Sequence, residues 1–216
     1  MKPIIGILGS RQVDKDNPFN SYSKFVFNYA KRIRQAGGIP MGLVSEDVSL
    51  DELSVCDGFV LEGGNRITDN YLKVIEYGLK TRKPVLGVCL GAQAMGFYDS
   101  GRCLKKVEGH NPMRFDMKFI NDSRHDVFLN KNSKVYEALK RKKINVYSLH
   151  SYAIDDEIFK GNVFKVSGKA SDGTIEVLEN KGSGWVVGVQ FHPELNKEYL
   201  GLFDELIKEA RIEMIF

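Results

Sequence analysis

Apolar residues in the first half of the chain fall into two alternating patterns. Short apolar runs are typical of strands, and longer stretches with apolar positions three or four residues apart are typical of helices. We predict strands over residues 4–8, 39–44, 58–61 and 85–88, and helices over 22–35, 67–81 and 91–97. Because parallel strands need a long crossover, usually a helix, this alternation predicts a mainly parallel sheet. Segment 85–88 is apolar throughout, as expected for a central strand that is buried on both faces.

The second half is richer in strand-type segments. We predict strands over residues 113–120, 145–148, 163–169, 174–178 and 185–190, a hairpin turn at Asp172-Gly173, and a closing helix over 197–211. The whole pattern predicts a three-layer α/β fold: a mainly parallel central sheet with helices on both faces, and a smaller antiparallel β section in the second half. No repeat or linker divides the chain, so we expect one domain over residues 1–216.

Composition and charge exclude several classes of protein. The 216 residues are 43% hydrophobic, which suffices for one sizeable core. The net charge of +3 is dispersed, and the longest basic cluster, residues 140–143, adjoins a predicted helix end and is interpreted as a solvated face, so we expect no nucleic-acid partner. No apolar stretch has the length of a signal segment or a membrane span, and we expect a cytoplasmic protein with no membrane partner. The aromatic residues Phe19, Tyr22, Phe25, Phe27 and Tyr29 are interpreted as core and helix packing.

Three cysteines indicate neither a disulfide framework nor a zinc site. Cys56, Cys89 and Cys103 are odd in number and lack the close pairing of metal-binding cysteines. No segment resembles a phosphate loop or a metal cluster either, and we predict no metal and no cofactor. Cys56 and Cys103 are interpreted as inert thiols, and His110 as a loop residue. Cys89 differs from the other two because of the residues around it.

The segment Gly87-Val88-Cys89-Leu90-Gly91 has the spacing of a nucleophile at a tight strand-to-helix turn. Such a turn leaves no room for side chains two residues before and after the nucleophile. The following helix would point its N-terminus at the sulfur, which favours the thiolate. The Leu90 amide, together with an amide of the Gly63-Gly64 loop, would form an oxyanion hole. The motif alone is equally compatible with an inert buried cysteine.

A second segment supplies the acid–base chemistry that a nucleophilic cysteine needs. Val189-Gln190-Phe191 reads as an apolar strand that ends in His192, and Glu194 follows two positions later. A carboxylate bonded to one ring nitrogen leaves the other nitrogen to take the thiol proton. Cys89, His192 and Glu194 are therefore our predicted catalytic residues.

These segments together resemble a known family. GVCLGAQ at 87–93, the Gly63-Gly64 loop and GVQFHPE at 188–194 occur in the order found in class I glutamine amidotransferases. The resemblance covers most of the chain. It implies a flavodoxin-like fold, a catalytic triad of Cys89, His192 and Glu194, and an oxyanion hole built from Gly64 and Leu90.

Within that superfamily, VYSLHSYAI at 146–154 resembles the γ-glutamyl hydrolase branch, peptidase C26, which includes γ-glutamyl-γ-aminobutyrate hydrolases. The resemblance implies that Gly63, Gln93 and His150 bind substrate. Alternatively, Gln93 forms hydrogen bonds with neighbouring backbone groups, and His150 is a hydrogen-bonded histidine at a strand end. The branch usually has an arginine where Leu90 stands, and a histidine and a glutamine where Ser151 and Tyr152 stand.

The expected activity is hydrolysis of the γ-glutamyl amide bond of a small γ-glutamyl compound through a γ-glutamyl thioester. The alternative is a glutaminase subunit that supplies ammonia to a separate synthetase. A third reading, a noncatalytic relative with a sensing cysteine, does not explain the His192-Pro193-Glu194 segment. The expected partner is a small γ-glutamyl molecule, and a homodimer and a synthetase partner stay open.

Overall fold

The computed structural model describes residues 1–14, 16–17, 19–44, 47–111 and 123–213. Its central element is a sheet of nine strands, and two short two-stranded sheets accompany it. The strands in chain order are β1 (Ile4–Leu8), β2 (Ser10–Val13), β3 (Ser21–Lys24), β4 (Ile39–Leu43), β5 (Gly58–Leu61), β6 (Val85–Val88), β7 (Leu104–Lys106), β8 (His125–Leu129), β9 (Lys143–Val146), β10 (Tyr152–Ile154), β11 (Phe164–Ala170), β12 (Ile175–Asn180) and β13 (Val186–Val189).

The large sheet has a parallel half and an antiparallel half. Its order is β4-β1-β5-β6-β13-β12-β11-β8-β9. The five strands from β4 to β13 are parallel to their neighbours, and each later pair from β13 to β9 is antiparallel. The predicted α/β fold with a mainly parallel sheet and a smaller antiparallel section is confirmed.

Helices cover both faces of the sheet. They are α1 (Phe27–Gln35), α2 (Leu50–Val55), α3 (Asp69–Thr81), α4 (Leu90–Ser100), α5 (Lys134–Leu139) and α6 (Leu200–Glu213). Residues of α1, α5 and α6 share one buried apolar cluster with alternate strand residues such as Val60 and Leu86. Residues of α2, α3 and α4 share the other cluster with the intervening positions, such as Leu61 and Val85. The parallel strands are therefore buried on both faces, which explains their unbroken apolar runs.

The helix predicted over residues 22–35 is wrong in its first third. Ser21–Lys24 forms β3, which pairs with β2 as an antiparallel hairpin, and α1 begins only at Phe27. The spacing of aromatic residues suggested one long helix, yet Phe19 and Phe27 are 99% and 89% exposed and only Tyr29 of that set is buried. Interpreting the whole aromatic set as core packing was therefore wrong, because helical spacing alone does not distinguish a buried face from an exposed one.

The other predicted elements of the first half agree with the structure to within three residues at each end. The strands at 4–8, 58–61 and 85–88 have the predicted bounds. The helix predicted over 67–81 begins at Asp69, and the one predicted over 91–97 extends in both directions as α4.

In the second half the predicted strands at 145–148, 163–169, 174–178 and 185–190 correspond to β9, β11, β12 and β13. The strand predicted over 113–120 lies outside the described residues. A 3₁₀ turn at Lys197–Tyr199 precedes α6, so the closing helix begins three residues later than predicted. The exposed residues 140–143 follow α5, as the solvated-face interpretation expects.

Among the described residues, no helix combines the length and the apolar character that crossing a membrane requires.

The Asp172-Gly173 turn joins β11 to β12 as predicted. The amide of Gly173 donates to the Ala170 carbonyl at 3.0 Å, and the amide of Ala170 donates to the Thr174 carbonyl at 2.9 Å. Gly173 has a φ of +88°, a conformation that a residue with a side chain rarely adopts. The turn thus fixes the register between the two strands.

A single carboxylate anchors the C-terminal end of α4 to the start of β11. The Asp99 side chain accepts hydrogen bonds from three consecutive amides, Asn162 at 3.0 Å, Val163 at 2.7 Å and Phe164 at 2.9 Å. Burial opposes ionisation, but the Phe164 amide, the Ser100 hydroxyl and the other two amides outweigh it and lower the pKa of Asp99. The charged carboxylate therefore holds the segment that leads into β11.

We expect Asp99→Ala to destabilise the protein by roughly 2–4 kcal/mol, because three amides lose a charged acceptor. Urea unfolding of the variant and the wild type measures the difference. Asp156→Ala is the matched control, since Asp156 forms a surface ion pair with Lys169 and its loss is expected to change stability by less than about 1 kcal/mol. Equal stabilities of Asp99→Ala and the wild type would contradict the anchoring role.

Candidate active site

Cys89 lies in the sharp turn between β6 and α4. Its backbone has φ +52° and ψ −101°, a strained conformation for a residue with a side chain. A Cβ atom on Gly87 would lie 2.8 Å from the carbonyl carbon of Gly91, and one on Gly91 would lie 2.6 Å from the Leu61 carbonyl oxygen. Both positions therefore require glycine, which is the reason for the spacing seen in the sequence. The turn places the thiol at the N-terminus of α4.

The pairing of β6 with β13 brings the cysteine and the histidine to the same edge of the sheet. The two strands are parallel with Val88 opposite Val189, and the Cys89 amide donates to the Val189 carbonyl at 2.8 Å. Residues that follow the two strands must emerge side by side, since both carboxyl ends lie at one edge. His192 comes three residues after β13, so the sequence positions of the two groups place them together.

His192 and Glu194 form a buried hydrogen-bonded pair. The Nδ1 atom of His192 lies 2.7 Å from Oε1 of Glu194, and the Nε2 atom is buried without a hydrogen-bond partner among the described residues. Burial lowers the pKa of His192, but the Glu194 charge and the neighbouring Cys89 thiol outweigh it and hold that pKa well above its usual value. The imidazole is thus suited to hold a proton taken from the thiol.

The loop after β5 completes this edge of the sheet. A Cβ atom on Gly63 would lie 3.3 Å from Cε1 of His192 and 3.9 Å from Sγ of Cys89, so Gly63 borders both groups. The Gly63 amide donates to the Tyr29 hydroxyl at 3.4 Å. Gly64 adjoins Leu90, because a Cβ atom there would lie 3.1 Å from Cδ2 of Leu90. Gly64, one predicted oxyanion donor, therefore lies against the side chain of Leu90, the other.

Gln93 and His150, two of the three predicted substrate-binding residues, line a cavity of about 750 Å³ next to the thiol, and Gly63 is not part of its lining. The lining includes Gly64, Cys89 and Leu90 on one side and Gln93 and His150 on another. This volume lies within the usual range for small-molecule sites. The structure thus brings the predicted nucleophile, oxyanion donors and most of the predicted binding residues to one cavity.

Gln93 and His150 are also bonded to protein groups. The Nε2 amide of Gln93 donates to the Tyr152 carbonyl at 2.7 Å and to the Gln190 side chain at 3.2 Å. The Nδ1 atom of His150 lies 3.1 Å from the Tyr152 carbonyl oxygen, a hydrogen bond that places the proton on Nδ1. Both side chains are therefore held in fixed orientations at the cavity wall, and their binding roles stay predictions.

Glu62 is a buried carboxylate near the triad to which the sequence analysis gave no role. Both oxygens lie within hydrogen-bond reach of the Val26 amide, at 3.0 and 3.2 Å. Burial, together with the charge of Glu194, outweighs the hydrogen bond from the Val26 amide and raises the pKa of Glu62 to about 8. Its position directly before Gly63-Gly64 was the signal in the sequence, but nothing there indicated its burial. Two buried carboxylates thus lie close to one active-site edge.

The three cysteines should differ sharply in reactivity. Burial raises the pKa of both Cys56 and Cys103 to about 11, so at neutral pH only about one in ten thousand of these thiols is ionised. We expect iodoacetamide at pH 7.5 to modify Cys89 alone, and His192→Asn to slow that reaction at least tenfold. Mass spectrometry of the digested protein measures each site. Faster labelling of Cys56 or Cys103 in the folded protein would contradict the assignment.

Glu62 should make stability fall as the pH rises. The folded protein keeps Glu62 protonated up to about pH 8, whereas the unfolded chain loses that proton near its ordinary pKa, so folded stability decreases between these values. Glu62→Gln keeps an oxygen acceptor for the Val26 amide and cannot ionise. We therefore expect it to be more stable than the wild type at pH 9 and to lose less stability between pH 5 and pH 9, as measured by urea unfolding.

Glu52→Gln is the matched control for this measurement. Glu52 is half-buried, and hydrogen bonds from Ser49 lower its pKa, so it titrates on the acid side of the range in which Glu62 titrates. We expect Glu52→Gln to follow the wild-type slope between pH 5 and pH 9. Parallel curves for Glu62→Gln and the wild type would show that Glu62 is ionised throughout.

Comparisons with known proteins agree with this geometry. The CTP synthase of Nautilia profundicola is 28% identical over 190 residues, which cover 71% of this chain and 35% of that protein. The chain therefore spans about a third of the length of the CTP synthases that it matches. The glutamine amidotransferase-like protein RP404 of Rickettsia prowazekii is 24% identical, and the match covers 97% of this chain and 98% of that protein.

Solved structures share the fold. The glutaminase domain of Trypanosoma brucei CTPS with bound acivicin superposes with a TM-score of 0.72 at 15% identity, covering 98% of this chain and 94% of that one. The fold is thus the flavodoxin-like fold of class I glutamine amidotransferases. The Peptidase C26 family matches residues 68–194, more than half of the chain, including the Cys89 turn and the His192–Glu194 pair. The chain belongs to the Peptidase C26 family of class I glutamine amidotransferase-type enzymes.

Proposed function

We propose that this enzyme hydrolyses the γ-glutamyl amide bond of a small γ-glutamyl compound and releases glutamate, and that residues 1–216 act as one catalytic domain. The observation that carries the proposal is the strained turn that holds Cys89 beside the buried His192–Glu194 pair. A thiol, a base and an orienting carboxylate in this order are the groups that thiol acyl transfer requires. The adjoining cavity has room for a small substrate.

The reaction begins when His192 takes the Cys89 proton and the thiolate sulfur attacks the γ-carbonyl carbon. The negative charge moves to the carbonyl oxygen, where the Gly64 and Leu90 amides donate hydrogen bonds to it. The C–N bond then breaks, and His192 gives its proton to the departing amine. A water molecule, deprotonated by His192, attacks the thioester carbon, and the thiol leaves with the proton. Glutamate and the free amine are the products.

Glu194 and Gly63 position these groups. The Glu194 carboxylate fixes the Nδ1 proton of His192 and stabilises the imidazolium, and it keeps its own charge throughout. Gly63 leaves the space between His192 and Cys89 open, since any side chain there would contact both. The substrate carbonyl is the group that we place in this space.

Gln93 and His150 recognise the glutamyl end in this proposal. Their side chains line the same cavity as the thiol and are held by hydrogen bonds to the Tyr152 carbonyl. A second cavity of about 720 Å³, lined by charged groups including Arg11 and Arg66, adjoins the first at Asn65 and Ile67. It offers room for the amine portion of a larger substrate.

The second candidate function is a glutaminase subunit that supplies ammonia to a separate synthetase. The similarity to part of the CTP synthases favours it, since their matching region is about a third of a longer protein. The exposed Phe19 and Phe27 also favour a partner, because large exposed apolar side chains are typical of interaction surfaces. Phe27 is close to the site, because the amide of the preceding residue, Val26, donates a hydrogen bond to Glu62, which directly precedes the Gly63-Gly64 loop.

Glutamate release from a panel of γ-glutamyl amides distinguishes the two functions. The panel contains acidic, neutral and basic amine portions together with free glutamine. A stand-alone hydrolase is expected to prefer one amide over glutamine, at a kcat/KM at least tenfold higher. Turnover of glutamine only, or of nothing, by the well-folded chain would contradict the hydrolase proposal and favour the synthetase-linked glutaminase.

Two variants test the chemistry with the best substrate found. We expect Cys89→Ala to lose activity at least about a thousandfold, and Glu194→Gln to lose it by roughly 10⁴ in kcat because the imidazole loses its orienting charge. Cys103→Ala is the control, since it also removes a buried thiol but leaves the site intact. Circular dichroism checks that all three variants fold. Wild-type activity in Cys89→Ala would exclude a thiol mechanism.

A further inference from the structure

The chain has four histidines, and the three outside the triad surround one buried carboxylate. His110, His125 and His150 lie in different parts of the sequence, yet each contacts Oε1 of Glu176, a residue of β12. The side chains of Glu176, His150 and His110 are 0%, 2% and 5% exposed. Apart from His150, which lines the thiol cavity, these residues have no role in the hydrolysis proposed above.

Hydrogen bonding does not account for the cluster. Neither Glu176 oxygen has a hydrogen-bond partner among the described residues, and the same holds for Nδ1 of His110 and Nε2 of His125 and His150. The three histidine nitrogens lie 3.1–3.5 Å from Oε1 of Glu176 but are not aligned for hydrogen bonds. Buried polar atoms normally find a partner, so a group of unpaired atoms aimed at one point indicates a missing ligand.

Two of the histidines are oriented as metal ligands are. Nε2 of His110 lies 2.9 Å from the Asp172 carboxylate, and Nδ1 of His150 lies 3.1 Å from the Tyr152 carbonyl oxygen. Ligating histidines usually donate their other ring N–H to a carboxylate or a backbone carbonyl in this way. The hydrogen bonds leave Nδ1 of His110 and Nε2 of His150 as the atoms with free lone pairs, and these are the atoms that face Glu176.

The spacing suits a small tetrahedral ion. Zinc binds histidine nitrogen and carboxylate oxygen at about 2.0–2.1 Å, so neighbouring ligand atoms of a tetrahedral site lie about 3.3 Å apart. Oε1 of Glu176 lies 3.1 Å from Nε2 of His125 and 3.5 Å from the facing nitrogens of His110 and His150. The ligand atoms of His110, His125 and Glu176 all lie within 4.8 Å of one another.

We propose that His110, His125 and Glu176 form a binding site for a divalent transition-metal ion, with Zn²⁺ as the best match. Two imidazoles and a carboxylate are ligand types that suit zinc. His150 lies outside this close set, but its Nε2 atom is 3.5 Å from the same Glu176 oxygen, and it becomes the fourth ligand once the ion draws the groups together. The sequence analysis predicted no metal, because ligands taken singly from distant segments have no recognisable spacing. The proposal does not depend on the hydrolase function.

The role of the ion would be structural. The His110 carbonyl accepts hydrogen bonds from the His150 amide at 2.9 Å and from the Ser148 hydroxyl at 2.6 Å, so the two histidine segments already contact each other. An ion would fasten both segments to β12 through Glu176 and to β8 through His125. Because His150 also lines the thiol cavity, the ion would fix one wall of the candidate active site.

Zinc titration of the full chain tests the site. Because a thiol also binds zinc, the experiment uses Cys89→Ala protein that has been stripped with a chelator. We expect one Zn²⁺ per chain by calorimetry and elemental analysis. At free zinc one hundred times its dissociation constant, the unfolding midpoint should rise by roughly 5–10 °C. Co²⁺ should give the absorption bands of a tetrahedral site with no thiolate charge-transfer band.

Variants separate this cluster from the triad. In the same Cys89→Ala background, Glu176→Gln and His125→Asn should each weaken zinc binding at least tenfold and remove most of the thermal shift. His125 is the most exposed member of the cluster, so its variant is informative even where Glu176→Gln fails to fold. His192→Asn removes the remaining histidine and should leave zinc binding unchanged. Loss of binding in His192→Asn, or full binding in His125→Asn, would overturn the proposal.

The absence of any zinc-dependent shift in folded Cys89→Ala protein would also overturn it. The cluster would then be a proton-sharing network of protonated histidine and ionised Glu176. Glutamate release is not part of this test, so failure of the metal site and failure of the hydrolase proposal are distinguishable.

Discussion

The candidate active site depends on the parallel pairing of β6 with β13. These strands are distant in sequence, but Val88 lies opposite Val189, and the Cys89 amide donates to the Val189 carbonyl. The backbone of Cys89 is therefore hydrogen-bonded to the strand that leads to His192. A register shift of one residue would turn alternate side chains to the other face and separate Cys89 from His192. The strain at Cys89 is tolerated because both neighbouring elements are held by the core.

The sequence was sufficient for the parts of the structure that follow from local rules. The strands buried on both faces appear as unbroken apolar runs, and the glycines at 87 and 91 mark a turn in which side chains do not fit. These features marked Cys89 as a candidate nucleophile, and the His192–Glu194 segment was needed to favour it over an inert buried cysteine. The His192–Glu194 pair could also be predicted from the sequence, because Glu194 follows His192 by two positions and the hydrogen bond between them is local.

The parts that the sequence could not supply depend on long-range contacts. Strand β3 stands where the first third of a helix was predicted, because it pairs with β2 as a hairpin. Tyr29, which bonds the Gly63 amide, and Glu62, whose pKa is raised by burial, had no pattern that marked them. The histidines around Glu176 come from three separate segments: His125 lies in β8, and the segments of His110 and His150 are joined by a hydrogen bond.

Helix α4 begins at the thiol and ends at the Asp99 anchor, so it is secured at both of its ends. The chain that follows the anchor supplies Arg102, Leu104 and Asn111 to the cavity wall. Because Asp99 holds the end of α4, insertions or deletions after it would not displace the helix or the Cys89 sulfur at its start. The thiol and this part of the cavity wall thus lie on opposite sides of the Asp99 anchor, and the wall can change in length while the sulfur stays in place.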